Sequence, residues 1–581
     1  MNAYLRNVWQ ILREPRLLEC RTLDILPIEN DSYVRVKIKE RNLQINSDGE
    51  KLQLLLPQER TEMYKYLNVF GPILPEYTAK SLLLRAIPGV HSGDNISGTT
   101  MYDIEKMTNK VMRDGKLPLL PHTEFRMRSP RMDHSLSWMV TQGPAASRLK
   151  LVERGQVSYL KAYSMEGDVK SPVDQMKSLI ESTKYTVDTS RLASVNYCRT
   201  PGTDQYCREV GFDKDIRPIY IIWKNRIVRP VDQSWGMAKY AMRSSMMVAA
   251  YVEDHLVTSQ LLTSNHVAVA TYKYLHCNHP IRRLLTPFQL GVEFGNEKTL
   301  LLKLSKGGLL GRATNFTDEG IAQYIKDLVR QKTMFYPKEQ LEANGLSYGR
   351  KIEFDFPYRT DAIALWDVIA KYVQSYLDVY YSGEELQKSS LDSHTVPPQQ
   401  PVPNTTSRHE SKNAMGDSDT GRVRITEDQG LCKWVTYLKN CFKYDTHIAK
   451  GVNKRSIVYV ITSYIWTVIG FSGQTSLSPD LLRVPSAFSL SIRKSNDLEG
   501  MMPKKQCLWS ALTLGAMTHV STIDLLQPIQ HFMLDRFAEK CSTTFMKDLK
   551  FLEENIQKRN RSRAIPNNSF LPSHMKLSMY H

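Results

Sequence analysis

At 581 residues the chain exceeds the usual single-domain length, yet a large helical protein can keep one core at this size. Its hydrophobic fraction of 41% and charged fraction of 24% are those of a globular protein and exclude a disordered or fibrous chain. The net charge of +17 favours acidic partners, whether nucleic acid, anionic lipid headgroups or fatty carboxylates, without choosing among them.

The basic residues are scattered as on a solvated surface, with a local cluster at Lys558, Arg559, Arg561 and Arg563. Eight cysteines carry no C-x-x-C pair and read as reduced thiols. The first twenty residues are amphipathic but lack an apolar core and a small-residue cleavage site, so they are not a signal peptide. No run of about 18 apolar residues marks a membrane span. The expected setting is cytoplasmic, with peripheral membrane contact open to the basic surface. The oligomeric state is not legible.

Residues 1–134 are hard to read. Tyr33 to Glu40 alternates apolar and charged residues, as an edge strand does, and a helix is expected after Pro75. GDVKSPVDQMKSLIESTKY predicts a loop leading into a helix. Ile216 to Val231 predicts a strand, a turn at Lys224–Asn225 and a second strand. From Trp235 onward apolar spacings of three and four predict helices. Residues 383–422 break this rhythm: rich in Ser, Pro, Gln, Asn and Thr, they cannot offset their ordering entropy and are expected to be a disordered insertion.

Several segments, in order, resemble the lipoxygenases, the non-haem iron dioxygenases of polyunsaturated fatty acids. Trp235, Ala238, Lys239, Arg243 and Ser245, followed by His279, Pro280, Leu284 and Leu285, are similar to landmarks of the family's central helix. Arg217 to Trp235 is similar to the hairpin before that helix, and Gly307 to Leu328 resembles the Gly-rich turn and helix after it. FPYRTDAIALWDVIAKYVQSYLDVYY, Phe356 to Tyr381, is the most specific match. EDQGLCKWVTYL, VITSYIWTVIGFSGQTS and the ENIQKRNRSRAIP tail complete a series over residues 200–581, with a fainter match from Ser135.

The resemblance implies one large, mainly α-helical domain with a small β-rich subdomain near residues 140–235 and no N-terminal β-sandwich. Residues 135–382 form its first part, with the ligand helix at 235–275, and 423–581 its second part, with the second ligand helix and the tail.

The family's iron is held by three histidines, a variable Asn, His or Ser, and the carboxylate of a C-terminal isoleucine. Two of the histidines form an H-x4-H pair. Positions five apart lie about 140° apart on an α-helix, so only a π-turn puts them on one face. Carried over by position, the first histidine is Ala250, the second His255, the third Ser472, the variable ligand Ser476, and the terminal isoleucine His581.

His255, Ser476 and the His581 terminus are therefore the residual metal candidates. One histidine and one carboxylate fall short of a two-histidine, one-carboxylate site, so iron is expected to bind weakly or not at all. The family's small oxygen-pocket residue becomes Phe294, which would fill part of the oxygen and substrate channel. His255 has a competing reading as a satisfied core histidine, and Ala249–Ala250 as a close-packing point. His266 lies about 16 Å along the helix from His255, too far to share a metal. His279, before Pro280, reads as a structural cap.

The leading expectation is thus an inactive lipid-binding or regulatory homologue taking a fatty acid or lipid. The alternative is an active fatty-acid dioxygenase with a rebuilt iron site. With no basic groove studded with aromatics and no recognisable motif, a nucleic-acid partner is not expected. Nor is there a G-x-S-x-G, P-loop or dinucleotide fingerprint.

Overall fold

The computed structural model describes residues 132–382 and 423–577 apart from short gaps, the longest at 154–157, 166–171, 293–302 and 519–523. Outside these it describes only the pairing of Leu43–Gln44 with Lys51–Leu52. The expected strand at 33–40, the helix after Pro75, the disordered insertion at 383–422, Phe294 and His581 lie outside the described residues, as does almost all of the N-terminal region in which a β-sandwich was not expected.

The β-rich part is one six-stranded sheet. Its strands are β1 (Lys150–Leu151), β2 (Ser164–Met165), β3 (Tyr185–Asp188), β4 (Glu209–Phe212), β5 (Pro218–Trp223) and β6 (Arg226–Val228). The order is β1-β3-β4-β5-β6-β2, antiparallel except where β2 joins β6. β5 and β6 form the hairpin the sequence predicts. Lys224 (φ 52°) and Asn225 (φ 58°) both take the left-handed conformation of a tight two-residue turn.

The apolar run of β5 serves two cores because side chains alternate across a strand. Tyr220 and Ile222 join Leu160, Leu179 and Ile227 in a small cluster, while Ile221, Trp223 and Val228 enter the main core. Gly211 of β4 has no room for a side chain, since a Cβ there would lie 2.0 Å from the ring of Tyr220.

Helix α1 (His134–Thr141) precedes this sheet, and α2 (Pro172–Ser182) crosses it where the loop-to-helix pattern predicts. The core is built on two long helices. The first runs through α3 (Trp235–Val248), a sixteen-residue π-helical stretch (Ala249–Ser264) and α4 (Asn265–Tyr274), all nearly buried. It ends before α5 (Pro280–Leu285). There His279 is the N-cap, its Nδ1 accepting from the Ile281 amide at 3.2 Å while Nε2 lies 2.9 Å from Asp428. The cap reading of His279 holds.

Then come α6 (Asp318–Val329), α7 (Pro337–Ala343), α8 (Pro357–Tyr380) and α9 (Gln429–Cys441). The second core helix runs through α10 (Lys454–Trp466), a π-helical stretch (Thr467–Phe471) and α11 (Ser472–Thr475). Long α12 (Arg536–Asn560) packs on α8, as does α10.

The span Lys454–Thr475 is long and apolar enough on average to cross a bilayer, although the sequence holds no uninterrupted apolar run there. Its most apolar window is 83% buried inside the protein, as befits a core helix. β7 (Tyr381–Ser382) and β8 (Val423–Arg424) pair and bring the two ends of the 383–422 segment together. All six described cysteines are free thiols.

Candidate functional site between the core helices

The two π-helical stretches pack against each other, and Ala250, His255 and Ser472 lie on the elements that meet at this crossing. A π-helix closes i→i+5 hydrogen bonds, which places residues five apart near one another on one face. Ala250 and His255 occupy such a pair. Ala250 offers only a methyl group and is buried, in keeping with close packing.

His255 is 2% exposed. Its Nδ1 lies 3.1 Å from both the carbonyl oxygen and the hydroxyl of Ser472. A protonated Nδ1 donates to the carbonyl; an unprotonated one accepts from the hydroxyl. Two positions 217 residues apart in sequence therefore meet directly. Tyr251 stacks on the imidazole with ring centroids 5.4 Å apart and planes 14° apart. Ser476, also buried, donates its hydroxyl to the Gly473 carbonyl at 3.0 Å, finishing α11 locally.

Two further features had no signal in the sequence. The first is an ion cluster at the start of the π-stretch. Arg148 pairs with Glu253 (3.0 Å) and Asp254 (2.7 Å) and donates to the Ala249 carbonyl at 3.2 Å. Burial pushes the Asp254 carboxyl up to about 6 against the pull of Arg148. A 420 Å³ cavity borders this cluster, walled by Tyr336, Glu339 and Asp445 as well. It does not include His255.

The second is Lys303, 1% exposed, whose Nζ lies 3.3 Å from Gln260 Oε1 and 5.7 Å from the ring centroid of Tyr251. Only the pairing of distant segments brings this lysine beside the candidate site.

Comparison with known proteins places this architecture. No family model matches the chain. Its sequence is 22% identical over 364 residues to the polyunsaturated fatty acid lipoxygenase ALOX12 of Mus musculus, covering 60% of this chain and 49% of that protein. It is 22% identical over 204 residues to the allene oxide synthase-lipoxygenase protein of Plexaura homomalla, covering 33% of this chain and 19% of that protein. The chain thus spans about half the length of the first of these relatives, or less.

A coral 8R-lipoxygenase structure superposes with TM-score 0.65 at 15% identity, covering 96% of this chain and 82% of that one. The manganese lipoxygenase of Gaeumannomyces graminis gives TM-score 0.61 at 13% identity over 87% and 92% of the two chains. The fold is that of the lipoxygenase catalytic domain.

Against the lipoxygenase ligand set, the residues at this crossing do not fit an iron ion. A redox metal of this kind needs several neutral nitrogens and an anionic oxygen converging on one point. Here one position is a methyl group, one is a serine bonded to the remaining histidine, and another serine is turned to its own helix end. Among the described residues, no group of three His, Cys, Asp or Glu side chains is disposed to hold a metal ion.

His266 stays apart from this site. It lies on α4, with its ring edge-on to Phe442 at 5.6 Å and to Tyr437 at 6.4 Å, and its buried Nδ1 has no hydrogen-bond partner among the described residues. Burial, aided by Lys332, pushes its pKa down from 6.5 to about 4. The unfolded chain therefore takes up this proton at a higher pH than the folded chain. The stabilisation is fully present above pH ~6.5 and is lost as pH falls through about 4. The loss should reach about 3 kcal/mol, and His266→Phe should flatten that part of a urea-denaturation pH profile.

Proposed function

We propose that this chain is a catalytically inactive lipoxygenase homologue that binds a lipid or fatty acid through the scaffold its relatives use for dioxygenation. The observation that carries this reading is the His255–Ser472 hydrogen bond, which joins two positions where the family resemblance expects ligands and ties the imidazole Nδ1 to a serine. Ala250 beside it contributes only a buried methyl group, so the crossing is closely packed there rather than lined with metal ligands.

The alternative of an active dioxygenase with a rebuilt site draws on one observation, the retained π-helical stretch Ala249–Ser264. A single experiment separates the two. The protein is expressed with iron supplied, its metal content is measured, and conjugated-diene formation from linoleate and arachidonate is followed. Substoichiometric iron and no diene are expected. One tightly held iron per chain together with diene formation would overturn the proposal.

A further inference from the structure

Lys303 poses a problem of buried charge. Its side chain is nearly inaccessible, and among the described residues its one hydrogen-bond partner is the Gln260 amide oxygen. Among the described residues it has no carboxylate partner, whereas Lys239 and Lys454 each reach an aspartate. An ammonium group removed from water without a counter-ion is costly, and burial alone pushes its pKa down to about 7.

Two more donors beside it are unsatisfied. Because Gln260 Oε1 accepts from Lys303, its Nε2 must point elsewhere, and that nitrogen is buried with no partner. The Tyr251 hydroxyl is likewise buried and has no partner among the described residues. Native proteins rarely leave such groups unpaired, and each one calls for an account. Here three donors gather where the described residues supply a single neutral acceptor, an arrangement suited to an anion with more than one acceptor oxygen.

We propose that Lys303, Gln260 and Tyr251 form a carboxylate-binding site beside His255, so that the core which holds a cation in iron lipoxygenases takes an anion in this chain. A carboxylate matches the donors: one oxygen to the ammonium, the other to the amide nitrogen or the phenol, each a charge-assisted bond. The group fits the head of a fatty acid or a small carboxylate ion. The fatty-acid form rests on the lipid-binding reading above; the small-ion form does not.

The test titrates octanoate, octanol and acetate calorimetrically into the full-length chain and into Lys303→Met and Tyr251→Phe variants. Lys303→Met keeps the apolar stem and removes a buried charge, and Tyr251→Phe removes one oxygen, so both variants should fold. Wild type should bind octanoate at least about tenfold more tightly than octanol, the worth of one charged hydrogen bond. Lys303→Met should erase that difference and leave octanol binding unchanged, and Tyr251→Phe should weaken octanoate alone.

Equal binding of octanoate and octanol by wild type, or a preference that survives Lys303→Met, overturns the site but leaves the lipid reading standing. Acetate binding that is lost in Lys303→Met, without octanol binding, supports the site and removes the lipid reading. No binding of any of the three removes both.

Discussion

Replacing Ala250 and Ser472 together by histidine should raise iron affinity by at least about 100-fold and bring metal content towards one ion per chain. The magnitude follows from what smaller changes do. Altering a group that merely orients a metal ligand moves affinity about 10- to 100-fold, so restoring two ligands should do more. The backbone is ready for the first substitution, because the π-helical stretch already sets positions 250 and 255 on one face.

The second substitution removes the Ser472 hydroxyl contact to His255 Nδ1, at a cost of about 1 kcal/mol, and leaves the carbonyl of residue 472 to orient the ring. Both positions are fully packed, so the larger side chains add about 1–3 kcal/mol of crowding each before metal is added. Melting temperature should therefore drop in the apo double variant and recover with iron, because a ligand that binds only the folded state stabilises it. Single variants should gain much less iron than the pair. A double variant that folds yet takes up no more iron than the parent would show that the scaffold has diverged beyond its ligand residues.

How much of this was legible depended on the range of the interaction. The Lys224–Asn225 hairpin, the helix after Ser171 and the His279 cap are local, since their partners lie within a few residues, and the sequence predicts all three. The lipoxygenase fold was legible for another reason: the spaced letters of Trp235–Leu285 and Phe356–Tyr381 survive at about 20% identity where composition alone says only that the chain is helical. The losses at Ala250 and Ser472 could be read by position, but not that His255 would bond to Ser472.

Equally hidden were the sixteen-residue length of the π-stretch and the arrival of Arg148 and Lys303 from distant segments. No periodicity encodes such pairings. The core helix Lys454–Thr475 shows a milder version of the same limit. Ser, Thr and Tyr interrupt its apolar run, yet its average hydropathy is high because its Ile and Val residues outweigh them, and the polar groups between are mostly buried with the rest.

The largest single loss of stability should come from Asp361→Asn, at about 3–5 kcal/mol, read as a lower urea midpoint. Asp361, on α8, is completely buried and accepts from Arg559 Nε (3.0 Å), Arg563 Nη1 (2.7 Å), Arg563 Nη2 (3.2 Å) and Asn567 Nδ2 (2.8 Å). Asparagine keeps the shape, but it removes the counter-charge and turns an amide N–H₂ toward donors. The Arg563 side chain, only 5% exposed, would keep only the exposed Asp355 carboxylate at 3.4 Å as counter-charge. Breaking one side of a buried pair costs far more than the pair contributes, because the survivor keeps its desolvation penalty.

The double change Asp361→Leu with Arg563→Met should therefore cost less than Asp361→Asn alone, a non-additivity that a purely steric role would not produce. The damage should also be directional. The carboxylate ties α8 to the end of α12 and to Asn567, just before Phe570, whose ring packs at Gly470 in the second π-stretch. Amide exchange in Asp361→Asn should accelerate first in residues 559–577 and last in the β4–β5 pair. A cost below about 1 kcal/mol, within the range of an exposed ion pair, would mean that water reaches this cluster and that the tail is held by its apolar contacts instead.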